Sequence, residues 1–337
     1  MLISIIIFGY DRKHFIEEAF NSAVNQSEDY QNYEVVLITN FDLSFLPLKH
    51  YIEKGLKIKT KYLEGPIGLF IQEAMEISSG EVLCFLDDDD VFSPEKVRSV
   101  LRKFTENPDL VYYSNDLECI EIEGKHIRVR DKVQMFRSRK SELKVSNKSA
   151  WRDVVRFVSY RGNAFNSTIS VKKEIIKKHE SLLKYVLRTE DEVILSFGLD
   201  SGGVSMLDCD KLTYYRIHGE NASRISADDL SSISKRCETL KRELDTLSTL
   251  LKSGTTIKTH IARRYLSMSQ SFIAVMYYSI CESNHDLNVN SPIISFVKYF
   301  GISMRRVHFL LLILNILSKA SPKLSIKLYA KFGGVKY

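Results

Sequence analysis

Between residues 3 and 114, short β-rich apolar runs alternate with stretches whose apolar residues recur at helical spacing. Residues 3–8 read as a buried strand, 11–25 as a helix with Phe15, Ala19, Ser22 and Ala23 in phase, and Tyr33 to Ile38 as a second strand. Residues 57–63 read as a third strand, 67–78 as a helix stopped by Gly80, and 82–86 as a short buried strand. Pro94 opens a helix over 95–104, closed before Pro108, and 110–114 is strand-like. Strands that alternate with helices predict an α/β fold with a mainly parallel sheet of nucleotide-binding type.

The pattern then becomes mixed. Residues 168–171 read as a strand, 173–179 as a short helix, 190–199 as a helix ended by Gly202-Gly203, and 204–207 and 212–217 as strands. From Ser226, spaced with Asp229 as a capping box, the chain turns helical, and Leu230, Ile233, Cys237, Leu240, Leu244, Leu247 and Leu251 form one apolar seam. That seam predicts a helix pair, within the chain or across a homodimer. Further helices are expected at about 257–281 and 293–333. The expected division is therefore a catalytic domain over 1–224 and a helical region over 225–337.

At 337 residues and 44% apolar content the chain can bury a full core. Its apolar start lacks a preceding basic residue and a following cleavage site, so it reads as a strand and not a signal peptide, which places the protein in the cytoplasm. Cys84, Cys119, Cys209, Cys237 and Cys281 have no paired spacing, which argues against a zinc site or a disulfide framework. The net charge of +6 is unevenly spread: residues 287–337 contain eight Lys or Arg and no acidic residue. Within that segment the nine-residue run from Phe309 to Leu317 is far short of the roughly 20 residues a bilayer crossing needs. Flanked by Arg305, Arg306, Lys319 and Lys323, it suits either a helix lying on an anionic membrane face or one packed on the catalytic domain. A second basic stretch, 125–161, holds Trp151, the single tryptophan, either as a platform for an acceptor sugar or as a core residue. Nothing in the chain asks for a nucleic acid.

The strongest chemical signal is Phe85-Leu86-Asp87-Asp88-Asp89-Asp90. Four adjacent carboxylates repel one another, and Asp is a poor strand and helix former, so local stability does not account for the run. A divalent cation would, and hard oxygen ligands suit Mg²⁺ or Mn²⁺. An acidic loop ahead of the Pro94 helix is the plainer reading.

Taken with Ser4-Ile5-Ile6-Ile7, with the stretch from Gly80 to Asp90, with Glu190-Asp191 and with Tyr215-Arg216-Ile217-His218-Gly219-Glu220-Asn221-Ala222-Ser223, the run resembles the family 2 glycosyltransferases of GT-A fold. The likeness covers about residues 1–224. It implies an inverting transferase that moves a sugar from a nucleotide-diphosphate donor to a glycan or lipid-linked acceptor. By the same likeness Asp87 and Asp89 fill a D-x-D motif, Asp89 as the direct metal ligand, and His218 lies near the metal or diphosphate. Asp191 becomes the general base, with Glu190 and Trp151 on the acceptor side. Phe8, Gly9, Tyr10, Asp11, Asn40, Gly68, Asp88 and Arg216 are placed around the donor. Two positions depart from the family's habit: Asn40 stands where relatives carry an Asp-Asp-Gly-Ser turn, and Glu73-Ala74 where they often carry Arg-Asn. Both departures keep open a catalytically silent binding protein of the same fold. A nucleotidyltransferase would want a glycine-rich phosphate loop, and Phe8-Gly9-Tyr10-Asp11-Arg12 supplies one glycine.

Overall fold

The computed structural model describes residues 1–120, 126–127, 140–158 and 165–218, with positions 238, 239, 242, 243, 245, 246, 249, 313 and 324. Along these the chain runs β1 (Ile3–Gly9), α1 (Ile16–Val24), β2 (Tyr33–Thr39), α2 (Leu48–Glu53), β3 (Lys57–Tyr62), α3 (Ile67–Ile77), β4 (Val82–Asp87) and β5 (Val91–Phe92). It continues through α4 (Lys96–Glu106), β6 (Leu110–Ile120), β7 (His126–Ile127), β8 (Leu143–Val145) and α5 (Trp151–Val158). A 3-10 turn at Asn166–Thr168 leads into β9 (Ile169–Lys172), α6 (Lys173–Lys178), α7 (Glu180–Leu183), α8 (Glu190–Asp200) and β10 (Val204–Arg216).

The strands form one sheet in the order β3-β2-β1-β4-β9-β6-β10-β5, with β7 on β6 and β8 on β10. β3, β2, β1 and β4 are parallel, as are β6 and β10, while β9 runs antiparallel between β4 and β6. Period-two alternation divides the core between the two faces. Ile6, Phe8, Val36, Ile38, Leu83 and Phe85 face α3, α6 and α8. Ile5, Ile7, Val35, Leu37, Cys84 and Leu86 face α1 and α4. Both sides of the parallel half are covered, which is why its strands read as continuous apolar runs.

The topology gathers one edge. β1, β2, β4, β6 and β10 all end there, and the antiparallel β9 begins there, so the turn ahead of β9 comes to lie against the end of β4.

Several elements differ from their sequence expectation. α1 begins at Ile16, because the chain after β1 first makes a loop in which Asp11 takes a left-handed φ of 61°. β6 continues past Ser114 to Ile120, since Asn115 and Asp116 are buried and hydrogen-bonded rather than turned to water. The two expected strands at 204–207 and 212–217 are one strand, β10, with register shifts between Leu207 and Thr213. There Asp208 pairs with Lys103 at 2.7 Å and accepts the Tyr113 hydroxyl at 2.9 Å. Cys84 and Cys119 are buried free thiols and Cys209 is half-buried. The seam from Leu230 to Leu251 lies outside the described residues, as does nearly all of 293–337. Among the described residues no helix is long and apolar enough to cross a membrane.

Candidate active site

At the gathered edge β4 delivers Asp87, and Asp88, Asp89 and Asp90 form the tight turn before β5, closed by Asp90 N donating to Asp87 O at 3.2 Å. Carboxylate oxygens of Asp87, Asp89 and Asp90 lie within 4.8 Å of one another. Burial pushes the Asp87 carboxyl up to about 7, aided by repulsion from Asp89 and Glu190. Burial likewise takes Asp88 up to about 8, with Arg12 offsetting part of the rise. Asp90 is held well above the usual carboxylate range by burial and by Asp89 and Asp87. A cluster that resists ionising all at once, built only of hard oxygens, fits one Mg²⁺ or Mn²⁺ ion.

Three parts of the chain hold the aspartates: the loop after β1, the turn ahead of β9 and the end of β10. Tyr10 N donates to Asp88 Oδ2 at 3.0 Å, and the Arg12 guanidinium bridges Asp88, at 2.5 Å, and Asp89. Asn166 Nδ2 donates to Asp87 Oδ1 at 2.7 Å. Ser167 Oγ donates to Asp90 Oδ2 at 2.6 Å and accepts Asp87 N at 3.0 Å. Arg216 N donates to Asp90 Oδ1 at 3.0 Å, and His218 Nε2 lies 2.9 Å from Asp89 Oδ2. Below the turn Lys96, fully buried, bonds Asn115 Oδ1 and approaches the carbonyls of Ser167 and Thr168 at 3.5 and 3.4 Å.

The base candidate enters from α8. Thr189, left-handed at φ 57°, turns the chain so that Glu190, Asp191 and Glu192 occupy the first helical turn. Asp191 Oδ1 accepts Glu192 N at 2.8 Å, and burial with repulsion from Glu190 and Glu192 holds its carboxyl well above the usual range. Asp87 also contributes to that rise, so the α8 turn and the acidic turn share one electrostatic site. Glu192, pushed up to about 8 by burial and by Glu243, and Thr246, whose Oγ1 accepts Leu187 N at 3.0 Å, tie positions of the C-terminal region to this turn.

Other predicted site residues take varied places. Tyr10 is exposed at the same edge, with its ring 5.9 Å from that of Phe70. Asn40 Nδ2 donates to Asp11 Oδ1 at 2.7 Å and its Oδ1 accepts Asp11 N at 3.0 Å, so its amide clamps the left-handed residue. Phe8 packs in the core on Phe85 and Phe70, and Gly9 is closed in by Phe41 and Thr39. Gly68 is pressed on the Leu183 carbonyl. Arg216 is buried, with Nε on the Asp89 carbonyl at 3.0 Å and its guanidinium on Glu18, so it braces the acidic turn from behind. Glu73 pairs with Lys61 at 3.3 Å. Trp151 opens α5, which packs on β8. Arg12, Lys96, Asn166 and Ser167 were not singled out from sequence. Arg12 and Lys96 look like ordinary helix-flanking cations, and Asn166-Ser167 looks like any polar turn until β9 carries it to the end of β4.

Comparison with known proteins agrees with this fold. The description of "Glycosyl transferase family 2" matches residues 4–167. An uncharacterized glycosyltransferase of Haemophilus influenzae is 23% identical over 254 residues, 72% of each chain. Among solved structures, Staphylococcus aureus TarS 1-349 in complex with UDP-GlcNAc superposes with a TM-score of 0.56 at 14% identity, covering 100% of this chain and 93% of that one. The mannosyltransferase PcManGT of Pyrobaculum calidifontis, in complex with GDP-Man and Mn²⁺, gives 0.53 at 10% identity over 97% and 86%. With its acidic turn, its mainly parallel sheet and these likenesses, the chain has the GT-A fold, and its residues 4–167 are similar to glycosyl transferase family 2.

Proposed function

We propose that the chain transfers a sugar from a nucleotide-diphosphate donor to an acceptor hydroxyl with inversion, Asp191 acting as base and the Asp87, Asp89 and Asp90 oxygens holding a divalent cation. The observation that carries this reading is the meeting of two carboxylate groups at one sheet edge, the acidic turn after β4 and the first turn of α8. The ligands named for TarS and PcManGT, UDP-GlcNAc and GDP-Man with Mn²⁺, support a nucleotide sugar as donor. Bound to these aspartates, Mn²⁺ or Mg²⁺ would stabilise the negative charge gathering on the departing diphosphate.

Asp191 accepts the proton of the acceptor hydroxyl as that oxygen attacks the anomeric carbon. The new C–O bond forms on the face opposite the phosphate oxygen, whose bond to the sugar breaks, and the nucleoside diphosphate leaves. Burial and repulsion from Glu190 and Glu192 raise the proton affinity of Asp191 above that of an exposed aspartate, which strengthens it as a base. Tyr10 and Asp11 border the nucleoside side, while Glu190 and Trp151 belong to the acceptor side. A glycan or lipid-linked acceptor, the latter at the inner membrane face through 293–337, fits the basic C-terminal segment.

Two variants test the division of labour. Asp191→Asn keeps Mn²⁺-dependent donor binding while transfer falls about 10² to 10⁴-fold. Asp89→Asn weakens Mn²⁺ and donor binding together. Calorimetry with a panel of UDP- and GDP-sugars, with and without EDTA, reads binding, and release of nucleoside diphosphate reads transfer. Near-normal transfer by Asp191→Asn removes it as the base. The engagement of Asn40 with Asp11 and of Glu73 with Lys61 favours a silent binding protein as the second reading. Donor binding without transfer to any glycan or lipid-linked acceptor would select it.

A further inference from the structure

Arg12 stands in the loop between β1 and α1, about one quarter exposed, and its guanidinium forks across two aspartates with different duties. One arm, Nη2, lies 2.5 Å from Asp88 Oδ1. Asp88 is outside the trio whose oxygens can surround one ion. The other arm, Nη1, is on Oδ2 of Asp89, the same oxygen that meets His218 Nε2 at 2.9 Å. Asp89 belongs to the trio. Burial works against the charge of Arg12, and all four aspartates hold it in place. The loop itself is set by Asp11, left-handed and clamped at both ends of the Asn40 amide, so the guanidinium is aimed by a built turn.

We propose that Arg12 is a tethered counter-ion that a divalent cation displaces from Asp89, so that Arg12 sets the cation affinity of the acidic turn. The inference rests on reading Asp87, Asp89 and Asp90 as the cation site. A guanidinium and a divalent ion repel each other at one carboxylate, and both draw on the oxygens of Asp89. Asp88 gives the displaced side chain an anchor: the Nη2 arm keeps its ion pair while the Nη1 arm lets go. The freed donor is then held on the edge where the diphosphate is placed by the proposed reaction, and a planar fork suits phosphate oxygens. In the absence of a cation the same arm keeps part of the acidic charge neutralised. The fork thus exchanges one positive partner of Asp89 for another.

The test titrates the full chain, without donor, with Mn²⁺ in a calorimeter. Arg12→Gln keeps the length and polarity of the arm and removes its charge. It is expected to bind Mn²⁺ about tenfold more tightly than the parent, because a charge-assisted bond no longer has to be broken. Lys13→Gln controls for a general change of field. Lys13 neighbours Arg12 in sequence, but its ammonium sits 4.5 Å from the Phe45 ring centroid. Its loss is expected to leave Mn²⁺ affinity within about twofold, as screening predicts for an exposed charge. Circular dichroism and melting establish folding first. Should Arg12→Gln not fold, Arg12→Lys serves: an ammonium cannot fork to both carboxylates, and a gain of about threefold is expected. Equal affinity in parent and Arg12 variant, a weaker variant, or an equal gain in Lys13→Gln overturns the inference and leaves the cation reading standing. Absence of Mn²⁺ heat in every protein sinks both.

Discussion

Replacing Lys96 with methionine asks what holds the acidic turn from below. Lys96 is fully buried at the first position of α4, where the helix dipole disfavours a cation. Its place is therefore set by tertiary partners. The ammonium bonds Asn115 Oδ1, lies 3.5 and 3.4 Å from the carbonyls of Ser167 and Thr168, and sits 4.8 Å from the centroid of the Phe92 ring. Methionine fills a similar volume without the charge. The loss is one hydrogen bond to a charged donor, at about 1.5–3 kcal/mol, plus two long contacts and a ring contact of a few tenths each, so the expected cost is about 3 kcal/mol. Because the weakened turn carries Asn166 and Ser167, which bond Asp87 and Asp90, Mn²⁺ affinity should fall in parallel. Urea unfolding followed by far-UV circular dichroism measures the first effect and calorimetry the second. A destabilisation below about 1 kcal/mol, with unchanged Mn²⁺ binding, would refute the claim that Lys96 supports the site.

Two further expectations concern pH and packing. Asp87 at about 7 and Asp88 at about 8, with Asp90 and Asp191 also raised, bind protons more tightly folded than unfolded. The contribution of Asp87 and Asp88 is complete below the unfolded pKa near 4 and is lost as pH rises through 7–8, so the metal-free chain should melt lower at about pH 8 than at about pH 5.5. Glu34 and Asp208, whose carboxyls are held below the usual range, lose their contribution only at more acid pH and leave this window alone. Added Mn²⁺ should reverse the trend, and a metal-free chain equally stable at both pH values would contradict it. Gly68→Ala places a methyl 1.9 Å from the Leu183 carbonyl oxygen and 2.9 Å from that of Val186. Relief requires α3 to withdraw from α7, at about 1–3 kcal/mol, and shifts the segment that leads into α8. A thermal melt within error of the parent would show that the backbone gives way freely.

The α/β class, the order of the first strands and helices, and the acidic run were legible because each rests on local pattern. Apolar runs such as Ile3 to Phe8 must be buried on both faces, and four consecutive aspartates are conspicuous in any context. Sequence alone also placed Glu190 and Asp191 at a helix start, since acidic residues collect there for reasons of dipole. What it left undecided was distance between parts far apart in the chain. Asn166 and Ser167 reach Asp87 and Asp90 across 79 and 77 residues, because β9 enters the sheet antiparallel beside β4. Likewise the sequence leaves Arg216 open between the diphosphate and core carboxylates, and Asn40 open as a contact to a base edge. In the folded chain Arg216 spends its guanidinium on Glu18 and the Asp89 carbonyl, and Asn40 spends its amide on Asp11. A side chain's hydrogen-bonding capacity is finite, and only the tertiary structure decides which partner consumes it. The continuity of β6 through Asn115 and Asp116 has the same cause. Asn115, which would weaken an isolated strand, is kept in it by Thr213 and Lys96, which come from other elements.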